Sequence, residues 1–314
     1  MVAAQDWRLS KMPHDIARVL QAAATGVWLI DPQKAAEIAS VLALRSQGVA
    51  SEWAGEMNEP VYAGDPVQGR KGTIHVLKLH GSIMPRGGMM ARMSGGASLE
   101  MFQKAFSRAA DDTQAQAIVL EVDSPGGLVD QVPETAAMIY KARRAGRPIV
   151  AVANTLAASA AYWIASAADE LVVTPSGKVG SIGVYTMHDN MAEALKKAGV
   201  DRTLISAGSR KVEGNPFNPL DATAKAAVQK QVENTYAMFS KAVAKHRGTS
   251  VEVVRADPES AEAHFGGGRS YPAAEAVRLG MADRVATFDE TLRRVAAGRV
   301  SRNPSMARKR LAMI

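Results

Sequence analysis

Ala117-Ile-Val-Leu-Glu-Val-Asp-Ser-Pro-Gly-Gly127 is the stretch on which the fold turns. Its first six residues form an apolar run broken only by Glu121, as expected of a strand covered on both faces. The turn Asp123-Ser124-Pro125-Gly126-Gly127 follows at once. In an open α/β sheet, ligands bind beyond the carboxyl ends of the strands, so this turn stands where a site is expected. Paired glycines let a backbone approach a ligand closely and turn N–H groups toward it, as a developing oxyanion requires. Taken alone, these five residues read equally well as an ordinary strand-to-helix turn.

Working outward, the same alternation repeats. Helix 129–144, strand 148–153, helix 157–168 and strand 170–174 are predicted downstream. Strand Thr73 to Leu79, closed by Gly81, and an amphipathic helix over Ala97 to Ala110 through Leu99, Phe102 and Phe106 are predicted upstream. Strands alternating with helices argue for βαβ units and a mostly parallel sheet, hence an α/β fold. Helices are also expected over 188–198 and 221–246, with a strand between them at Arg202 to Ile205. Val228, Val232, Phe239 and Val243 recur at helical spacing along the second, as a core or subunit contact would.

Before Gly72 the pattern is different. Residues 14–29 and 33–45 read as helices, the second opened by Asp31-Pro32 as cap and first-turn proline. Residues 46–71 are rich in glycine, proline and polar residues and read as a linker. The expected organisation is a helical N-terminal appendage with linker (1–71), a main domain (72–290) and a basic C-terminal tail (291–314).

Composition narrows the chemistry. Hydrophobic residues make up 47% of the 314 and charged residues 22%, the balance of a globular chain. There is no cysteine, which excludes disulfides, thiolate metal sites and cysteine nucleophiles. The net charge of +7 has a share in Arg299, Arg302, Arg308, Lys309 and Arg310. A solvated tail is the simpler reading of that cluster, and contact with nucleic acid or an acidic partner the other. No run approaches the ~18 apolar residues of a membrane helix. Asp6, Arg8, Lys11 and Asp15 precede only a short apolar patch, unlike a signal peptide. An intracellular soluble protein is expected.

Two further segments carry chemistry. Asn154-Thr-Leu-Ala-Ala-Ser-Ala-Ala-Tyr162 follows a strand and opens an alanine-rich helix. A serine at a helix entrance can present its hydroxyl to a cleft, with the N–H groups and dipole of the first turn beside it. A structural serine packed among small residues is the competing reading of Ser159. Ser206-Ala-Gly-Ser-Arg-Lys-Val-Glu-Gly-Asn-Pro-Phe217 is a polar loop containing Lys211. A free lysine, with a pKa of ~10.4, is no base near neutrality, but desolvation or neighbouring cations can make it one. Without context Lys211 reads as a surface lysine. His75 and His80 lie on or just after a strand, His188 and His264 are isolated, and none has an evident partner. No HxxxH or HExxH spacing, GxGxxG or phosphate loop occurs, so neither a metal nor a nucleotide cofactor is expected.

Together the segments resemble the signal peptide peptidase A family of serine peptidases, and within it the capsid-maturation branch of lambda-type phages. The resemblance runs from about Gly72 to Val285. Asp123-Ser-Pro-Gly-Gly127, Ala157-Ala-Ser159 with Tyr162, Gly177-Lys-Val-Gly-Ser-Ile-Gly-Val184, the Lys211 loop and Gly268 to Asp283 all match in order. It implies a Clp-protease/crotonase-like fold with Ser159 as nucleophile, Lys211 as general base, and backbone N–H groups of Gly127 and Ala160 as oxyanion donors. It also implies a homo-oligomer. Bacterial members usually carry a membrane anchor, which this sequence is expected to lack, a departure that favours a phage or prophage protein. Its substrates would be scaffold, portal or other capsid proteins, met in the host cytoplasm or inside a procapsid. Nucleic acid has no part in it. A cytoplasmic peptide-degrading peptidase, a catalytically silent scaffold-binding relative and a crotonase-type acyl-CoA enzyme are the alternatives. Many relatives carry glycines after the nucleophile where this chain has Ala160 and Ala161.

Overall fold

A computed structural model describes residues 28–30, 62–87 and 96–300. They fall into two compact units: residues 186–225 belong to one, and the other described residues to the second.

The larger unit is built on strands β1 (Trp28–Ile30), β2 (Val67–Gln68), β3 (Thr73–His80), β4 (Ile83–Met84), β5 (Ala97–Ser98), β6 (Ala115–Ser124) and β7 (Gly126–Leu128). It continues with β8 (Ile149–Ala158), β9 (Glu170–Val173), β10 (Lys178–Gly180), β11 (Ser270–Pro272) and β12 (Arg284–Val285). Parallel β3, β6 and β8 form the centre of an eight-stranded sheet, with β2 antiparallel at one edge and β11 antiparallel beyond β10 at the other. β8 forks. Its first half pairs with β9 through Val150 to Ala153, and its last residues, Leu156 to Ala158, pair with β10. A second sheet, in the order β1-β7-β4-β5, stands where β6 has ended.

The apolar run from Ala117 to Val122 is the middle of this core. Every residue from Ala115 to Leu120 is buried, as both faces of β6 are covered. One face carries helix α1 (Leu99–Asp111), α2 (Val132–Ala142) and α3 (Ala160–Ser166), with Phe102, Phe106, Ile139 and Trp163 in the main cluster. The sequence of α1 specifies it locally. Ser98 caps it by accepting from Met101 N, and Leu99, Phe102, Phe106 and Ala109 form the buried stripe. The other face holds Ile74, Val76, Val119, Val150 and Val152 under Val295 of the capping-box helix α8 (Phe288–Ala296).

In the smaller unit, α4 (Ala192–Lys197) has no buried residue. Met191 N donates to Pro216 O (2.7 Å), and Asn215 folds its own loop by donating to Val212 O and accepting from Phe217 N. The Arg202 guanidinium lies 4.2 Å over the Phe217 ring. α5 (Ala222–Arg247) begins at the end of this stretch; α6 (Val251–Arg255) and α7 (Ala273–Arg278) follow in the larger unit.

Several boundaries differ from those predicted. The helix expected over 157–168 begins only at Ala160, because Ala157 and Ala158 pair with Val179 and Gly180 and so extend β8. The strand expected at Arg202 to Ile205 is absent: no strand pairs there, and Ile205 is 96% exposed. Trp28 and Leu29, placed at the end of a helix, are in a strand. Within the expected linker, Val67–Gln68 pairs with β3 and Ala63 bridges Leu77. The rest of the N-terminal helices, residues 46–61 of the linker and residues 301–314 of the tail lie outside the described residues.

Candidate active site

The fork in β8 delivers Ser159. After the last rung with β10, Ser159 N donates to Gly180 O at 2.7 Å, and Ser159 O accepts from Trp163 N at 2.9 Å. Between those two bonds the backbone turns sharply, with φ 55° and ψ −116° at Ser159. That is the mirror image of the first central position of a type II turn, a conformation that glycine usually takes. A side chain held there costs about 1–3 kcal/mol, and such strain persists where the surroundings over-determine it. The residue is 1% exposed, and Oγ has no hydrogen-bond partner among the described residues. Strain and a buried hydroxyl without a partner thus coincide at one residue, contrary to what a purely structural serine shows.

The helix behind it is held from several sides. All seven residues of α3 are buried. Tyr162 Oη donates to Met281 O at 2.8 Å, and burial pushes that phenol's pKa up. The Trp163 and Phe239 rings stack at 4.7 Å with 5° between their planes. Ser166 Oγ donates to Trp163 O and lies 3.0 Å from His246 Nδ1 on α5. Ala160 is the first residue of the helix, where a backbone N–H has no acceptor within the helix itself.

The double-glycine turn lies against this elbow. Ser124 pairs with Ala157, is fully buried, and its Oγ accepts from Gly126 N at 3.2 Å. Gly126 has φ 99°, and a Cβ there would stand 2.0 Å from Leu29 O and 3.0 Å from Ala158 O. A Cβ on Gly127 would meet Ile83 O at 2.0 Å. Both glycines are therefore demanded by close backbone approach. The structure brings Gly127, Ala160 and Ser159 to one end of the sheet. Lys211 belongs to the smaller unit, exposed in a run of turns where its N donates to Gly208 O at 3.1 Å.

The histidines require a correction, since they do have partners. His75 Nε2 is 2.7 Å from Asp112 Oδ2, a hydrogen bond that holds the Asp112 carboxyl below its ordinary pKa. Register places His75 level with Ile118 and Ile149, at the start of β8. Ser159 lies ten residues further along, roughly 30 Å at ~3.3 Å per residue. His80 faces Glu121 at 3.7 Å, His188 meets Asn215 O at 3.0 Å, and His264 packs on Tyr271. None of the described histidines bonds Ser159. Gly180, the anchor of the elbow, and Ser124, whose buried hydroxyl shapes the glycine turn, lie in the segments Gly177–Val184 and Asp123–Gly127 quoted from the sequence, but neither was given a role there.

A strained serine elbow beside a double-glycine turn, on an α/β sheet of Clp-protease/crotonase-like type, fits one class of protein. The chain belongs to peptidase family S49, whose model matches residues 141–301. That agrees with the signal peptide peptidase A resemblance read from the sequence. It is 34% identical over 219 residues to the capsid assembly protease C of Escherichia phage lambda, covering 70% of this chain and 48% of that protein. It is 37% identical over 181 residues to the head-tail preconnector protein GP5 of Enterobacteria phage P21, covering 58% and 36%. The chain therefore spans about half or less of the length of these phage relatives. Among solved structures, the membrane-bound stomatin-specific protease 1510-N superposes with a TM-score of 0.43 at 18% identity, over 71% of this chain and 80% of that one. No helix among the described residues is long and apolar enough to cross a membrane.

Proposed function

We propose that this protein is a serine endopeptidase with a Ser159–Lys211 dyad that cuts scaffold, portal or other head proteins during phage capsid maturation. The observation that carries the reading is Ser159 itself: a buried hydroxyl without a partner, on a strained strand-to-helix elbow beside Gly126-Gly127. In the first step Ser159 Oγ bonds to a peptide carbonyl carbon while its proton passes to Lys211 Nζ. The carbonyl oxygen, now an oxyanion, accepts from the Gly127 and Ala160 N–H groups. The C–N bond then breaks as Lys211 returns the proton to the leaving amine. Water attacks the resulting ester, again losing its proton to Lys211; the acyl C–Oγ bond then breaks as Lys211 returns that proton to Ser159 Oγ and the carboxylic acid product leaves.

A lysine serves as base only once it has shed its proton, and desolvation favours that. Lys211 is exposed on the isolated chain, so the proposal includes a homo-oligomer in which a neighbouring copy covers it. The head proteins as substrates, and the host cytoplasm or procapsid as the place, rest on what the two phage relatives are called.

The test is to incubate wild type, Ser159→Ala and Lys211→Ala with a candidate phage scaffold protein and follow cleavage by gel and mass spectrometry. Each variant is expected to lose about a thousandfold or more in kcat/KM. Cleavage by Ser159→Ala at the wild-type rate removes the nucleophile assignment. Full activity of Lys211→Ala alone moves the base elsewhere.

A further inference from the structure

β7 is a short strand with two neighbours, β4 on one side and β1 on the other. β4 belongs to the continuous chain that leaves β3. β1 is different: three residues, Trp28–Ile30, pairing among the described residues with β7 alone at the edge of the small sheet. The pairing is antiparallel, Trp28 opposite Leu128, Leu29 opposite Gly127 and Ile30 opposite Gly126. A strand in that position uses β7 backbone groups that would otherwise face outward, which is how an extended peptide adds to a sheet edge.

The place is not neutral ground. The backbone of Gly126 lies between Leu29 O and the carbonyl of Ala158, the residue before Ser159, as the positions around a Cβ built there show (2.0 and 3.0 Å). Leu29 opposite Gly127 brings a peptide carbonyl of the chain's own N-terminal region to the turn whose N–H group is the proposed oxyanion donor. Leu29 and Ile30 are 0% and 4% exposed, and Leu29 joins the main apolar cluster with Leu79 and Ile83. The edge thus takes an extended segment by its backbone and apolar side chains by burial. Ser159, next to it, is covered and, among the described residues, its Oγ has no hydrogen-bond partner.

We propose that Trp28–Ile30 is a built-in occupant of the peptide-binding edge of β7, held where an extended, apolar substrate segment lies, and that hydrolysis requires its displacement. This rests on the reading of Ser159 as the nucleophile. It adds a latency device within the same unit of the chain.

The chain has no cysteine, so a single disulfide can lock the occupant in place. Directly opposed strand residues have Cα atoms ~4.5–5.5 Å apart, within the range a disulfide spans. In the Trp28→Cys/Leu128→Cys variant of this 314-residue chain, the oxidised protein is expected to cleave unfolded casein at least about tenfold more slowly than the same preparation after reduction. Equal rates before and after reduction overturn the proposal. An independent measurement uses wild type. Addition of a Leu-rich peptide boronate, detected as a mass adduct, should raise amide hydrogen exchange in Trp28–Ile30 while Gly126–Leu128 stays protected. If the adduct forms on Ser159 and Trp28–Ile30 remains protected, the occupant is a permanent strand and the proposal fails alone. If no adduct forms, or it survives Ser159→Ala, the nucleophile reading fails and takes the proposal with it.

Discussion

Ser159 carries two local costs, and they can be separated. One is the backbone at φ 55°, ψ −116°; the other is the buried, unpaired hydroxyl. Ser159→Ala removes only the second, whereas Ser159→Gly removes both, since glycine takes this conformation freely. Under the proposed assignment of Ser159 as nucleophile, both variants should be inert as peptidases. The glycine variant is expected to exceed the alanine variant in stability by about 1 kcal/mol or more, read as the difference in urea unfolding midpoints. Equal midpoints would mean that the elbow is unstrained. The sequence marked Ser159 only through its neighbours. No pattern rule gives the φ of one residue, because that angle follows from the Ser159 N bond to Gly180 O, a partner more than twenty positions away. The two glycines were more legible, since close backbone approach has few other solutions.

At the scale of elements, α3 shows what positions the serine. It is a short helix, seven residues and all of them buried, so its place is set by tertiary anchors rather than by helix propensity. Trp163 on Phe239 is the largest of these. Trp163→Ala should cost about 3–5 kcal/mol in thermal or denaturant unfolding. Tyr162→Phe, which leaves Met281 O without its donor, should cost only about 1 kcal/mol. A reversed order of the two would show that the Tyr162 bond, and not the ring stack, holds the helix. The alternation of strands and helices, and therefore the parallel sheet, was readable from the apolar runs of β3, β6 and β8. What was not readable was the second half of β8. Thr155 to Ala158 lacks an apolar alternation, and it is a strand because β10 supplies a ladder for it. The same holds for β1, which a helical reading absorbed: three residues have no period of their own.

Across the larger unit, titration behaviour follows from packing under α5. Burial is the main cause that brings the His246 pKa down to about 4, with the charges of Arg143, Lys245 and Arg247 adding to it. His246 stacks on Tyr140 and stays neutral in the folded state, while in the unfolded chain it titrates near 6.5. Between those values the unfolded state binds more protons, so stability falls as pH drops from about 6.5 to about 4. Asp283 acts lower on the scale. Burial raises its pKa, but the bidentate Arg247 partner and the Leu171 N–H outweigh that and hold it below the ordinary value. Its contribution is present above the unfolded carboxylate range and is lost as pH falls through the depressed value. Urea midpoints at pH 7.5, 5.5 and 4.5 should therefore decline for wild type, and His246→Phe, which keeps a ring against Tyr140, should flatten the decline. An unchanged slope in that variant would assign the acid sensitivity elsewhere.

The elbow at Ser159 also has a consequence for how such a chain drifts. If Ser159 is the nucleophile, as proposed, a residue less stable there than glycine is kept only while hydrolysis is selected. If a lineage used this fold only to bind head proteins, glycine would be the favoured replacement at position 159, ahead of alanine. A bench selection for thermal survival, blind to cleavage, should find the same change early. An inactive descendant would then be recognisable by the loss of one hydroxymethyl group on an otherwise intact scaffold.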